Sequence, residues 1–134
     1  MNQEPESNQQ ESNHSNNLKG KKGITRILNA AGYSIAGLKA AFSSEAAFRQ
    51  LVLLNVILIS VAFMLDVTQV ERLLLIGSVF ITLIIELLNS AIEATVDRIS
   101  LSLHPLSKQA KDMGSAAQLL GMTLVAFVWI TILL

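Results

Sequence analysis

Hydrophobic and polar residues divide the chain into a polar start, one amphipathic segment and three long apolar runs. In the amphipathic segment, the apolar positions that recur at helical spacing are Ile24, Ile27, Leu28, Ala31, Ile35, Leu38 and Phe42. Arg26 and Tyr33 fall on the opposite face, and the mixture is too polar to span a bilayer. Residues 24–43 therefore predict a helix that lies along a membrane interface.

Three apolar runs follow this segment, at residues 46–65, 73–96 and 113–134. Each approaches or reaches the roughly 20 residues that a helix needs to cross a bilayer. Residues 1–22 are dominated by Asn, Gln, Ser, Glu and Lys, and such a segment buries too little apolar area to offset its ordering entropy. The pattern predicts an all-α membrane protein: a disordered tail, then one domain over residues 23–134 with an interfacial helix and three transmembrane helices.

Composition narrows the classes of function. Hydrophobic residues make up 51% of the 134 residues and charged residues only 15%, as in a small integral membrane protein. The 10 basic and 10 acidic residues cancel, and no basic patch is interleaved with aromatics, so nucleic acid is not expected as a partner. The absence of cysteine excludes disulfides, thiolate catalysis and cysteine-based metal sites.

The basic residues predict the orientation of the spans. Those before or at the start of the first span are Lys19, Lys21, Lys22, Arg26, Lys39 and Arg49. Arg98, Lys108 and Lys111 follow the second span, and Arg72 alone lies between the first and the second. By the positive-inside rule, the N-terminus and the polar connection at 98–112 are cytoplasmic and the C-terminus is outside.

Polar side chains interrupt the second span at Glu86, Asn89, Glu93 and Asp97. Their spacings of 3, 4 and 4 residues return all of them to one helical face. A charged side chain at bilayer depth costs roughly 2.5 to 3.5 kcal/mol on insertion scales, so this acidic stripe is a candidate functional site.

Self-association is expected, because three helices cannot easily shield such a stripe from lipid. The third span and its approach carry small residues whose spacings of 4, 3 and 4 permit close helix packing, namely Ala110, Gly114, Ala117 and Gly121. On these patterns alone the stripe fits two classes: a membrane enzyme, or a small proton or cation transporter or assembly subunit in which the stripe is a relay.

The chemistry of the stripe suggests roles for its members. Glu86 suits a general base, because Ile and Leu flank it on both sides. Glu93, and Glu45 at the entrance to the first span, are hard oxygen ligands of the kind that Mg²⁺ takes together with phosphate oxygens. Asn89 can both donate and accept and so could orient either carboxylate. Asp97 lies nearer the interface, where a surface role and a site role are equally open.

The connection after the second span carries His104, Lys108 and Lys111 at spacings that share one face of a helix entered at Pro105. The lysines could bind nucleotide phosphate, with Asp112 accepting from an adenine amino group or a ribose hydroxyl, or they could be topology markers. No GxxxxGK[ST] loop is present, so any kinase would hold its nucleotide with helices.

Three runs together carry a resemblance to a known family. They are EAAFRQ at 45–50, ELLNSAIEATVDRI at 86–99 and AKDMGSAA at 110–117, preceded by GITRILNAAGYSIAGLKAAF. Over residues 23–134 the chain resembles the bacterial integral-membrane diacylglycerol kinases. The resemblance implies a homotrimer in the bacterial inner membrane that phosphorylates diacylglycerol with ATP and Mg²⁺ at the cytoplasmic interface.

The resemblance also implies roles for individual residues. Glu86 would be the catalytic base with Asn89 as its support, and Glu45 and Glu93 would bind Mg²⁺. ATP would be contacted by Arg26, Tyr33, Glu45, Glu93, Ser102, Leu103, His104, Lys111 and Asp112. The lipid would be contacted by Arg26, Ala30, Ala31, Gly32, Tyr33, Ser34, Ile35, Lys39, Glu86 and Ser115.

The acceptor lipid has one alternative within the family. The run HPL at 104–106 is more similar to the undecaprenol kinases, whereas MGSAA and EAAFRQ are more similar to the diacylglycerol branch. Enterobacterial members have Glu-Tyr where this chain has Ser102-Leu103, and tryptophans where it has Ile35 and Phe42. We expect diacylglycerol, because the runs that match its branch adjoin the proposed site.

Overall fold

Helices account for nearly all of the described chain. The computed structural model describes the backbone of residues 6–134 and the side chains of residues 23–134. Within that range the helices are α1 (Glu6–Ser44), α2 (Ala46–Met64), α3 (Gln69–Ile99) and α4 (Pro105–Leu133). The last three are long and apolar enough to cross a membrane. The predicted all-helical fold with three membrane spans is confirmed at this level.

Helix α1 contains the predicted amphipathic segment, residues 24–43, without interruption. Its backbone is helical from Glu6, whereas the sequence predicts disorder over residues 1–22. Residues 1–5, and the side chains before residue 23, lie outside the described part, so the disordered tail stays a prediction. The chain divides after Lys39 into two compact units.

The three spans begin and end close to polar residues. Helix α2 ends one residue before the predicted limit, but α3 and α4 run beyond their predicted spans, to Ile99 and back to Pro105. The predicted polar connection at 98–112 is therefore much shorter, because only residues 100–104 separate the two helices. Proline is well tolerated in the first turn of a helix, and the His104 side chain accepts a hydrogen bond from the Leu106 backbone N–H at 3.2 Å.

Helix α3 is the central element of the second unit, because both α2 and α4 pack against it. Leu75 and Val79 of α3 meet Ala62 of α2 and Val125 and Trp129 of α4 in one buried cluster. Many other large apolar side chains are exposed, as expected of a surface that faces lipid. The packed face of α3 continues from this cluster into the acidic stripe, so the core determines which way the stripe points.

The short connection between α2 and α3 is held by side-chain hydrogen bonds. Thr68 and Glu71 form a capping box at the start of α3, in which the Thr68 backbone N–H donates to Glu71 Oε2 at 2.8 Å. Arg72 donates from Nε to the Ala62 carbonyl at 3.1 Å and from Nη2 to the Leu65 carbonyl at 3.0 Å. The one basic residue on this side of the spans therefore caps the end of α2.

Candidate active site

The acidic stripe runs along α3 in a gradient of burial. Glu86 is only 5% exposed, Asn89 and Glu93 are half-buried, and Asp97 is exposed. A rise of 1.5 Å per residue places Asp97 about 16 Å along the helix from Glu86. One chain is enough to bury Glu86, so a neighbouring subunit is not needed for that purpose. The stripe thus leads from a dry interior to the surface near the α3–α4 connection.

The Asn89 side chain packs between α3 and α4, where the facing residue of α4 is a glycine. Its Nδ2 donates to Glu93 Oε1 at 3.1 Å, which orders these two members of the stripe. A Cβ atom at Gly114 of α4 would lie 2.1 Å from Asn89 Oδ1, so any larger residue would overlap the amide. The small residue at position 114 therefore packs within the chain, where it leaves room for Asn89.

Glu45 lies at a break of one residue between α1 and α2. It has extended backbone angles, φ −103° and ψ 114°, and it occupies the N-cap position of α2. Arg49 donates from Nη1 to the carbonyls of Phe42 and Ser43 at 3.0 and 3.2 Å, which caps the last turn of α1. Ser44 Oγ donates to Glu45 Oε1 at 3.2 Å. These contacts hold the carboxylate at the entrance to the first span.

The carboxylates are close enough to interact. The charges of both Glu93 and Glu45 act on Glu86, so the start of α2 and the stripe on α3 form one acidic group. Among the described side chains, no three His, Cys, Asp or Glu residues gather closely enough to hold a metal ion by themselves. Mg²⁺ usually takes only one or two carboxylates, with phosphate oxygens and water completing its shell. Glu45 and Glu93 are carboxylates of the kind that Mg²⁺ takes with phosphate oxygens, and their binding of the ion stays a prediction.

A cavity of about 670 Å³ lies where α3, the connection and α4 meet. This volume is within the range of small-molecule pockets, roughly 300–1,000 Å³. Its lining includes Asp97, Ser102, Leu103, His104, Lys108, Lys111 and Asp112. The cavity is therefore bounded by all five residues that the resemblance places against ATP in this part of the chain.

Both lysines of the cavity are paired with aspartates. Lys111 Nζ lies 2.6 Å from Asp97 Oδ1, with side-chain exposures of 38% and 45%. Lys108 forms a second ion pair with Asp112 one turn further along α4, and both of these side chains are well exposed. The charge of Glu93 also acts on Lys111. Lys111 therefore connects the cavity to the acidic stripe.

The resemblance predicts carboxylates on the second span together with residues of the following connection that contact ATP, and the cavity is lined by five of those residues. The family model for prokaryotic diacylglycerol kinase matches residues 32–133. The chain belongs to the prokaryotic diacylglycerol kinase family. The predicted membership, and with it the predicted class of enzyme, is confirmed.

Diacylglycerol kinases of several bacteria are similar to the chain over most of their length. The diacylglycerol kinase of Pseudomonas aeruginosa is 66% identical over 117 residues, which cover 87% of this chain and 95% of that protein. The diacylglycerol kinase of Escherichia coli K12 is 50% identical over 111 residues, covering 83% and 91%. That of Helicobacter pylori J99 is 46% identical over 108 residues, covering 81% and 84%. The similarity therefore extends over almost the whole of each relative.

Some residues that a diacylglycerol kinase is predicted to use lie on the first unit. Those on α1 are Arg26, Ala30, Ala31, Gly32, Tyr33, Ser34, Ile35 and Lys39. They are exposed on that helix, and the Ser34 hydroxyl donates to the Ala30 carbonyl at 3.0 Å. Ser115, on α4 next to Gly114, is also exposed. Their contacts with ATP and lipid stay predictions.

Sequence reasoning missed two features of this diacylglycerol kinase site. The sequence leaves the role of Asp97 open, but its carboxylate pairs with Lys111, fourteen residues away on another helix. The sequence predicts only that Gly114 permits close helix packing, but a Cβ at this position would overlap Asn89. Each of these two contacts joins a residue of α3 to a residue of α4. Helical spacing relates residues only within one helix, so it cannot predict contacts that depend on how the two helices cross.

Proposed function

We propose that the chain transfers the γ-phosphoryl group of ATP to the free hydroxyl of diacylglycerol, which yields phosphatidic acid. The observation that carries this proposal is the acidic stripe of α3, which runs from the buried Glu86 to Asp97, where Asp97 pairs with Lys111 in the lining of the cavity. The high identity to characterised diacylglycerol kinases supports the choice of acceptor. A nucleotide in the cavity would then approach a lipid hydroxyl held at bilayer depth.

In this reaction Glu86 acts as the general base. It takes the proton from the lipid hydroxyl as the hydroxyl oxygen forms a bond to the γ-phosphorus. The bond from the γ-phosphorus to the bridging oxygen breaks in line, and ADP leaves with that oxygen. The 5% exposure of Glu86 keeps water away from the base, so the lipid hydroxyl is favoured over water as the acceptor. Asn89 supports the base by keeping the adjacent Glu93 in place.

The nucleotide is held by the cavity and by α1. Ser102, Leu103, His104, Lys111 and Asp112 supply contacts from the connection and α4. Arg26 and Tyr33 supply contacts from α1, as the family resemblance implies. Lys111 exchanges Asp97 for a phosphate oxygen when ATP binds, because a triphosphate carries more charge than one carboxylate.

Glu45 and Glu93 would hold Mg²⁺ with the ATP phosphates. Bound there, the ion would neutralise charge on the phosphates as the phosphoryl group is transferred. The carboxylates are hard oxygen donors, as Mg²⁺ requires. Glu45 would contribute from the N-cap of α2 and Glu93 from the stripe on α3.

We also propose the orientation and the assembly that the sequence predicts. The N-terminus and the α3–α4 connection face the cytoplasm, where ATP is available, and the C-terminus faces the periplasm. Three subunits form a homotrimer, in which the half-buried Asn89 and Glu93 and the exposed Asp97 are partly covered by a neighbour. Mixing Glu86→Gln subunits with Glu45→Gln subunits tests a shared site, because activity returns only if different subunits contribute the two carboxylates.

The main test is ATP-dependent phosphorylation of diacylglycerol by the purified protein in mixed micelles. We expect wild-type activity, and a loss of at least 100-fold in Glu86→Gln, on the order of a positioned acid–base contribution. A wild-type protein without activity, or a fully active Glu86→Gln variant, would refute the proposal. Adding undecaprenol as a competing acceptor tests the alternative branch, and ion flux in proteoliposomes without nucleotide would favour a transporter.

A further inference from the structure

Gln118 is a buried amide that the proposed reaction does not use. It lies on α4 between Gly114 and Gly121, both of which are buried. Its Nε2 and Oε1 atoms are both inaccessible, and neither has a hydrogen-bond partner among the described residues. A buried polar group without a partner costs free energy, more so in a membrane where water cannot substitute. A partner for this amide is therefore expected in the working enzyme.

The packing of α3 on α4 indicates what lies opposite Gln118. A Cβ at Gly114 would meet Asn89, and a Cβ at Gly121 would meet Ile85 at 2.8 Å, so the helices cross antiparallel along this face. Gln118 is one turn from Gly114, about 6 Å along the axis. Long side chains on a helix lean toward its N-terminus. The side chain of Gln118 is therefore expected to lean toward the turn of α4 that contains Gly114, where Gly114 meets Asn89.

Asn89 offers the complementary group at that place. Its Oδ1 is also buried and has no hydrogen-bond partner in the described part of the chain. Its Nδ2 is already committed to Glu93 Oε1. The same seam between α3 and α4 thus holds an unpaired acceptor on Asn89 and an unpaired donor on Gln118.

We propose that Gln118 is a positioning residue, whose Nε2–H donates to Asn89 Oδ1 and thereby keeps Asn89 Nδ2 turned toward Glu93. Without this bond the Asn89 side-chain amide can flip, which exchanges Nδ2 for Oδ1 and places Oδ1 next to the Glu93 carboxylate, where the two oxygens repel. Glu93 would then lose the donor that holds it in place. The inference rests on the proposed function, because it matters to catalysis only if Glu93 binds Mg²⁺.

The effect is expected on metal binding. Replacing Gln118 with leucine keeps a similar volume and removes the amide. We expect the half-saturating Mg²⁺ concentration to rise about three- to tenfold, on the scale of one neutral hydrogen bond. The KM for diacylglycerol should stay within a factor of two. Gln109→Leu is the matched control, since Gln109 is an exposed glutamine on the same helix.

A double-mutant cycle between Gln118 and Asn89 tests whether Gln118 acts through Asn89. Mn²⁺ binding in the presence of a non-hydrolysable ATP analogue, followed by electron paramagnetic resonance, reads metal affinity without requiring turnover. In an Asn89→Ala background the Gln118→Leu substitution should have no further effect on Mn²⁺ affinity. An unchanged affinity in Gln118→Leu alone, or an equal loss in both backgrounds, would overturn the proposal. If Gln118→Leu does not fold, Gln118→Met replaces it in the cycle.

The two proposals fail in different ways. Wild-type protein that does not phosphorylate diacylglycerol refutes the proposed function, whatever Gln118 does to Mn²⁺ binding. Active wild-type protein with no coupling between Gln118 and Asn89 refutes only the positioning role.

Discussion

Replacing Gly114 with alanine should impair catalysis far more than folding. The added Cβ would lie 2.1 Å from Asn89 Oδ1 and 3.2 Å from Asn89 Cγ. Contacts between heavy atoms are favourable only near 3.5 Å, so the amide or the helix must move by more than about 1 Å. Overpacking of this kind costs about 1–3 kcal/mol, and the higher helix propensity of alanine returns about 1 kcal/mol of it. The free energy of unfolding should therefore fall by no more than about 2 kcal/mol.

The expected loss of activity in Gly114→Ala follows from the displacement of the Asn89 amide. Asn89 donates to Glu93, so a shift of 1 Å in the amide displaces a proposed metal ligand. A misplacement of about 1 Å can cost on the order of 100-fold in rate. We expect kcat for Gly114→Ala to fall by between tenfold and 100-fold, with a higher Mg²⁺ requirement.

The assay compares Gly114→Ala with Gly77→Ala. A Cβ at Gly77 of α3 meets nothing within 4 Å, so this control gains helix propensity without overlap. Phosphorylation in mixed micelles gives kcat and the Mg²⁺ dependence, and unfolding in detergent gives the stability. The reasoning is refuted if Gly114→Ala retains wild-type kcat, or if Gly77→Ala loses as much activity as Gly114→Ala does.

Further predictions concern the cavity, the metal and the outer connection. Lys111→Met should raise the KM for ATP about tenfold in steady-state kinetics, because one charged contact to phosphate is lost; an unchanged KM would remove Lys111 from the nucleotide site. Glu93→Gln should raise the Mg²⁺ concentration needed for half-maximal rate, and chelation by EDTA should abolish turnover in the wild type. Arg72→Met should lower the free energy of unfolding by about 2 kcal/mol, since charged hydrogen bonds to three backbone carbonyls are lost. Its kcat per folded molecule should be unchanged, and a loss of kcat without a loss of stability would contradict a purely structural role.

The helical period was sufficient to predict the spans and the stripe. Glu86, Asn89 and Glu93 could be grouped from their spacing alone, because residues on one helix have a known angular relation. The alternation of apolar runs and polar connections gave α2 almost to the residue. These predictions rest on local geometry, which a single sequence contains.

The relations between helices could not be predicted in this way. The contact of Gly114 with Asn89 and the ion pair of Lys111 with Asp97 depend on how α3 and α4 cross. The sequence predicts a helix entered at Pro105 and a third span from residue 113, but it does not predict that the two form one continuous helix, α4, which leaves only residues 100–104 as the connection. A helix can extend beyond its apolar span, and the long charged side chains at its end then reach the water while their backbone stays helical.

The two ion pairs of the cavity affect how lipid headgroups and ATP would compete for its lysines. The cytoplasmic leaflet of bacterial membranes is rich in anionic lipids, and unpaired lysines at that depth would attract their headgroups. Asp97 and Asp112 give Lys111 and Lys108 a partner within the same chain. A phosphodiester with a single negative charge gains little by displacing a carboxylate, whereas a triphosphate gains more. In the proposed site and orientation, the aspartates would let the enzyme stay open to ATP while it is surrounded by a large excess of lipid phosphate.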